Sequence, residues 1–520
     1  MKRVKILVGL LFLATATVGC SDFLSEVPDN RTQIDTPKKV SELLVGAYPS
    51  ATHVEFAEEM SDNVIDNGKL NQSTLQSEQN FTWVVNTEES YETPKAFWMA
   101  CYEAIANANA ALDALSSMEK EYANKPSFKY GLTHLRAEAL LARAYNHFML
   151  VNLWAKHYNP ATAESDLGIP YVTEVENVLL KEYKRLSVAE VYKLIEQDLL
   201  EGLIGIKGAQ YESANIAKYH FTEASAKAFA ARFYLYKGEF AKSIEYSNTL
   251  GDLPIGKLRD VAGTADFSTA QNEIHFSRTE LDTNLLVVTS PSRKKRTTYA
   301  SRFVLTQGEA TKGDKGLFSS STNPVSEVIK SPMNWNYPNA NYSNNDAFYV
   351  PKFNEYFKIN DFTNMTGIPH VTFVLFSNDM LYLDRMEAFV MENRIDEAIK
   401  MYTYLVLLRT ELPPQFKPES LIGILQYEDI EKLIGYEEGK YSPITKINRE
   451  QAVMLEAISE MRRREGFQEG YRWFDIRRFN LEVKHKLTGG SEHILQKGDL
   501  RYQLQLPQVA LDRGIPANPR

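Results

Sequence analysis

Two distant stretches of this chain follow one scheme, and that scheme limits the fold more than any other feature. Glu223 to Leu250 reads as two helices broken at Lys237-Gly238-Glu239. Ala228, Ala231 and Leu235 recur at helical spacing before the break, and Phe240, Ile244 and Tyr246 follow it. Asp379 to Arg409 repeats the order: Asn393-Arg394 replaces Gly238-Glu239, and Ile395-Asp396-Glu397-Ala398-Ile399 replaces Phe240-Ala241-Lys242-Ser243-Ile244. Apolar residues at this spacing mark one face of a helix. Gly and Asn accept the left-handed conformation that ends a helix, and small residues let neighbouring helices approach closely. Such a pair cannot bury its apolar face alone, so it must stack on others.

Further helices are legible around these pairs. Thr36 caps a helix from Pro37 to about Tyr48, with Pro37 at its first position. Thr93-Pro94 opens one that aligns Phe97, Trp98, Tyr102, Ile105, Ala108 and Leu112. Another runs from about Gly131 to Leu153, with Ala137, Leu141, Ala144, Phe148 and Val151 in register. Ser187 with Glu190 forms a capping box before Val191, Leu194, Ile195 and Leu199. The expected fold is mainly α, a tetratricopeptide-like helix-pair scaffold. Between the pairs, 251–378 is rich in Asn, Ser, Thr, Pro and Gly, with short strand-like runs at Leu285–Thr289 and Val371–Phe376. This predicts a loop-rich subdomain laid on the scaffold, where binding residues tend to sit.

The first residues are a targeting segment. Lys2, Arg3 and Lys5 precede an apolar run from Ile6 to Ala16 that is too short to span a bilayer, and the run ends at Thr17-Val18-Gly19-Cys20. A small residue directly before a cysteine is the bacterial lipoprotein pattern, so Cys20 is the expected lipidation site. The divisions read from the sequence are a signal peptide at 1–19, a lipidated tether at 20–36, a helical part at 37–250, the loop-rich part at 251–378 and a closing part at 379–520. Cys101 is expected as a small buried residue on a helix. The net charge of −9 argues against nucleic acid. The run Arg293-Lys294-Lys295-Arg296 is expected in a solvated loop.

These pieces in this order resemble the SusD/RagB family over most of the chain. The matching stretches are Cys-Ser-Asp-Phe-Leu at Cys20, Phe97-Trp98 with Tyr102, Ile105 and Ala108-Asn109, and Leu135-Arg136-Ala137-Glu138-Ala139 with Ala142-Arg143-Ala144-Tyr145. Ser187 to Leu199, Met386-Glu387-Ala388, and the closing Leu506-Pro507-Gln508 and Asn518-Pro519 continue the match. The most specific stretch is Arg464 to Arg478, where Glu469, Gly470, Arg472, Asp475 and Arg478 fit the family pattern. The resemblance implies a surface-exposed, lipid-anchored outer-membrane protein. It would catch oligosaccharide or polysaccharide and pass it to a SusC-like TonB-dependent transporter. A RagB-type capture of peptides is the alternative, and a glycoside hydrolase on a helical scaffold is a more distant one.

No catalytic residue is expected, since the chain lacks the zinc-protease, nucleophile-elbow and phosphate-loop motifs. No cofactor or metal is expected either: no Cys–His cluster or calcium loop occurs. Glu469, Arg472, Asp475 and Arg478 are read as structural, with Arg472 and Asp475 able to pair across one helical turn. A sugar site needs flat ring faces beside amides and carboxylates. Trp335, Asn336, Tyr337 and Tyr342 in one Asn-rich loop are the first candidates. Phe81 and Trp83, with Asn86 and Tyr91 close by, are the second. Trp98, Trp154 and Trp473 are expected in the core.

Overall fold

The structure, a computed structural model, describes residues 34–68, 73–121, 126–176, 182–342, 346–443 and 445–520. Cys20, the signal segment and the tether to residue 33 lie outside them. Helix α1 (Pro37–Leu44) starts as its sequence dictates: the Thr36 hydroxyl accepts a hydrogen bond from the Lys39 N–H at 3.3 Å, and proline occupies the first turn. Two short helices, α2 (Val54–Glu59) and α3 (Leu75–Phe81), lead to the long α4 (Pro94–Glu121) and α5 (Pro126–Trp154). Phe97, Trp98, Ile105, Ala108 and Leu112 of α4 are buried, and Tyr102 is half-buried. Cys101 is fully buried on the same helix.

The Ser187 hydroxyl accepts from the Glu190 N–H while the Glu190 carboxylate accepts from the Ser187 N–H at 2.8 Å, closing the capping box of α6 (Val188–Gly205). Two glycines let α6 lie close on α5. A Cβ on Gly202 would stand 2.6 Å from Leu141 Cγ, and one on Gly205 would stand 2.9 Å from Ala137 Cβ. Helices α7 (Glu223–Lys237) and α8 (Phe240–Ser247) meet at Gly238, whose φ is +82°.

Within the loop-rich part, α9 (Thr269–Phe276) and α10 (Lys294–Ala300) flank a sheet. Strand β1 (Asn284–Pro291) comes before the small β2 (Ala340–Tyr342) and β3 (Ala347–Tyr349), which pair with one another. β4 (Glu355–Asp361) and β5 (Thr366–Ser377) complete an antiparallel sheet ordered β1-β5-β4, with β5 central and β4 at the edge. The sequence located β1 and β5. It missed β4, whose residues are mostly solvated and whose alternation is confined to Phe357-Lys358-Ile359-Asn360.

The second predicted pair is α11 (Asn378–Met391) and α12 (Ile395–Leu408), with Asn393 at φ +59° in the place of Gly238. Then come α13 (Arg449–Glu465) and α14 (Tyr471–Arg478), and a hairpin of β6 (Val483–Lys486) and β7 (Glu492–Leu495) that turns through Gly489-Gly490. One cluster of buried apolar side chains runs from Val40 to Ile515 and takes in the long helices, both helix pairs, parts of β1 and β5 and the closing hairpin, while smaller clusters gather around Tyr349, Val371 and Phe373 and around Phe81 and Phe303. Trp98, Trp154 and Trp473 belong to the large cluster.

The charged stretch of α13 and α14 locks the carboxy-terminal part onto the start of the chain. Glu58 on α2 accepts from the N–H groups of Gln468 at 2.9 Å and Gly470 at 3.0 Å. Gly470 is at φ +75°, and a Cβ there would meet Ala57 Cβ at 3.0 Å, so glycine fits both demands. Glu469 binds the buried Lys352. The expected Arg472–Asp475 pair is not made. Arg472 instead grips Asp62 at 2.7 and 2.8 Å, far away in sequence. Asp475 pairs with Arg478, at 2.9 Å, and with Arg462, at 3.1 Å. Arg478 and Arg462 in turn hold Glu387 at 2.7 Å each. The motif is thus a buried network of paired charges joining α11, α13 and α14.

Candidate functional site

Most of the aromatic residues singled out in the sequence are structural fasteners. Phe81 is fully buried, stacked between Phe303 at 4.2 Å and His485 at 4.0 Å. Trp83 stacks on the other side of the arrangement, 4.4 Å from His485, and its indole N–H donates to the Met60 carbonyl at 2.9 Å. Trp335 lies under the Arg464 guanidinium, 4.4 Å away, and donates to Thr322 Oγ1 at 3.2 Å. The Tyr337 hydroxyl donates to Glu465. Trp335, Tyr337 and Trp83 each keep less than a tenth of their surface open. Rings covered on both faces offer no platform to a sugar, so these positions are corrected to loop anchors. Asn336 is half-buried, and its N–H donates to the Arg409 carbonyl at 2.7 Å. Tyr342 ends β2 opposite Ala347, and its side chain lies outside the described residues.

The basic run 293–296 is also corrected: it is not a solvated loop but the start of α10, and its cations are drawn to carboxylates. Lys294 is buried, its Nζ 2.8 Å from Glu55 Oε2. Lys295 reaches Glu273 at 2.6 Å. Arg296 grips Glu355 through Nε at 2.7 Å and through a second nitrogen. Glu55 belongs to a buried group with Glu58, Glu59 and Glu92. Burial, and then the neighbouring Glu55 charge, push Glu59 up to about 8 and Glu92 up to about 7. Lys294 loses solvation by burial, but Glu55 and Glu58 outweigh this and keep it protonated. Glu92 accepts from the Ser292 hydroxyl at 2.7 Å and the Arg293 N–H at 3.0 Å, which ties the start of α10 to the start of α4.

This anchoring fixes an outward-facing group of rings and charges. The Arg293 guanidinium lies 5.2 Å from the centre of the half-buried Tyr91 ring. The Tyr91 phenol is raised by partial burial and feels the charges of Arg293, Glu92, Arg296 and Glu355. Arg296 in turn feels the phenols of Tyr299 and Tyr91. Two tyrosines thus flank two guanidiniums and a carboxylate on the surface of the loop-rich part. Glu355 and Tyr356 are strand neighbours, so they point to opposite faces of β4. Tyr356, stacked 5.8 Å from His370, belongs with Tyr219 to a second group of exposed rings. Sequence reasoning named Tyr91 and the basic run separately and missed Tyr299. The available signal was the Arg296–Tyr299 spacing, which places both on one face of a helix.

Several recesses lie elsewhere among the described residues. A narrow cleft is lined by Arg259, Lys352, Asp379, Glu465 and Glu469. Its charges are turned inward, with Arg409 2.7 Å from Asp379 Oδ1 and Arg259 donating to Asn284 at 2.8 Å. A wider groove runs between Trp83–Lys95 and the closing segment around Leu504–Gln508. Among the described residues no group of three or more His, Cys, Asp or Glu is placed to hold a metal ion. No described helix is long and apolar enough to cross a membrane.

Comparison with known proteins now places the chain. Residues 22–235 match the SusD-like family described as "starch-binding associating with outer membrane". No curated protein matches the chain in sequence. A SusD superfamily protein from Bacteroides thetaiotaomicron VPI-5482 superposes with a TM-score of 0.62 at 16% identity, covering 93% of this chain and 100% of its own. One from Bacteroides fragilis gives 0.62 at 16% identity, covering 94% and 99%. A SusD-like carbohydrate-binding protein from Bacteroides vulgatus ATCC 8482 gives 0.55 at 16% identity, covering 92% and 97%. At such identities these likenesses are ones of fold. The amino-terminal helices thus match the SusD-like family model, and the chain as a whole shares the fold of SusD superfamily proteins.

Proposed function

We propose that this protein is a cell-surface lipoprotein, anchored through Cys20, that captures oligosaccharide and delivers it to a SusC-like TonB-dependent outer-membrane transporter. The observation that carries the binding part is the surface group of Tyr91, Arg293, Arg296, Tyr299 and Glu355. Ring faces pack against sugar C–H groups, while guanidinium and carboxylate groups meet hydroxyls. The helix bearing Arg296 and Tyr299 is tied down through Lys294–Glu55 and Ser292–Glu92, so little backbone order is lost on binding. The family's description as starch-binding at the outer membrane supports carbohydrate as the ligand class. The buried charge network of α13 and α14 holds the scaffold and takes no part in chemistry.

Affinity electrophoresis of the mature protein in gels containing single polysaccharides tests the reading, with Tyr91→Ala as the site variant. Retardation lost in that variant supports it. Release of sugar from a polysaccharide without added enzyme would favour a hydrolase instead. The open edge of β4 gives a specific reason to keep peptide capture as a second reading, because an extended peptide can add to a free strand edge. Peptides that compete for the polysaccharide, or bind where none does, would favour it.

A further inference from the structure

The ring group contains one cation without a close counter-charge, and this deepens the glycan reading, on which it rests. Lys294, Lys295 and Arg296 each meet a carboxylate oxygen at hydrogen-bond distance. Arg293 does not. Its guanidinium has no hydrogen bond among the described residues, and its one charge contact is Nε to Glu92 Oε2 at 3.9 Å, with the Arg293 side chain 47% exposed. What holds Arg293 in place is its backbone, through the N–H bond to Glu92 at 3.0 Å. The side chain is left to lie on the Tyr91 ring.

This arrangement suits an anion. Stacking on a ring orients a guanidinium and leaves its N–H edge open. That edge is a planar fork, matched by a carboxylate or a sulfate through two parallel hydrogen bonds. A neutral hydroxyl cannot supply the second bond or the charge. Glu92, the nearest carboxylate, is turned back toward Ser292 and the Arg293 backbone. Burial, and then Glu55, also push it up to about 7, so near neutral pH part of its charge is missing. The chain carries a net charge of −9, so an acidic ligand is drawn to this spot more than to the surface as a whole.

We propose that Arg293, stacked on Tyr91, is a subsite for an acidic sugar residue, a uronate or a sulfated sugar, in the captured glycan.

The test is affinity electrophoresis and calorimetry of the mature protein with polygalacturonate, dextran sulfate, amylose and galactan. Polygalacturonate presents carboxylates and dextran sulfate presents sulfates, so the two separate the possible sources of charge. Wild type should bind at least one acidic polymer, more weakly as salt rises. Arg293→Gln should weaken that binding roughly tenfold, and Arg293→Lys should restore part of it. The Arg293 side chain is exposed, so thermal unfolding of both variants should match wild type. Binding of neutral polymers alone, or Arg293→Gln binding like wild type, overturns the proposal while leaving glycan capture standing. No binding to any polymer overturns both.

Discussion

Lys294 Nζ sits 2.8 Å from Glu55 Oε2, and both side chains are almost wholly out of solvent. The pair joins α10, under the ring-bearing surface, to α2 of the amino-terminal scaffold. Removing one member leaves the other charge buried and alone, which costs about 3–5 kcal/mol. Lys294→Met is therefore expected to lower the denaturant midpoint strongly. The half-buried surface pair Lys227–Glu223, one helical turn apart, provides the contrast, since Lys227→Ala should cost about 0.5 kcal/mol or less. Equal effects in urea titrations would contradict the assignment.

Gly470 carries two constraints at once, a positive φ and the 3.0 Å approach of Ala57. Gly470→Ala should strain the backbone by about 1–3 kcal/mol and loosen the N–H bond to Glu58. Gly489, with nothing near its Cβ position and no positive φ, should accept alanine with a change of about 0.5 kcal/mol or less. Urea midpoints of the two variants check this.

Asp475 is the shared partner of Arg462 and Arg478. Burial acts to raise its pKa, but the two guanidiniums outweigh burial and hold it below the usual carboxylate value. Asp475→Ala should destabilise the fold by about 3–5 kcal/mol while leaving polysaccharide affinity of the folded fraction unchanged. Loss of affinity without loss of stability would move this motif into the binding site.

How far these features were legible in the sequence depended on how local their cause is. The Ser187–Glu190 cap, the break at Gly238 and its counterpart at Asn393 are set within a few residues, and the chain spells them out. Arg472 was assigned to Asp475 by helical spacing, but its partner Asp62 lies at the other end of the chain, which no local rule reaches. Trp335 looked like a displayed ring because its loop is polar. Arg464 and Thr322, brought in by tertiary packing, cover it. The run 293–296 looked solvated for the same reason: the carboxylates that hold Lys294, Lys295 and Arg296 come from three separate segments.

The carboxylates around Lys294 predict a pH dependence. Glu59 and Glu92 are raised from 4.5 to about 8 and about 7, by burial and then by Glu55. The folded state thus keeps protons that the unfolded chain releases above about 4.5. The stability from these two groups is complete below that value and is lost as pH rises to about 7–8. Glu59→Gln should raise the urea midpoint at pH 8.5, by an equivalent of about 1–2 kcal/mol, and change little at pH 4.5. A larger gain at acid pH than at alkaline pH would reverse the assignment.

The account turns on whether the surface around Tyr91 holds sugar. The most direct measurement is calorimetric titration of the mature protein with whichever polysaccharide retards it in gels, beside Tyr91→Ala, with unfolding curves for both. The expected result is saturable binding by wild type that falls at least roughly tenfold in the variant at matching stability. Binding that is unchanged in Tyr91→Ala, or no polysaccharide binding in a well-folded wild type, would contradict it.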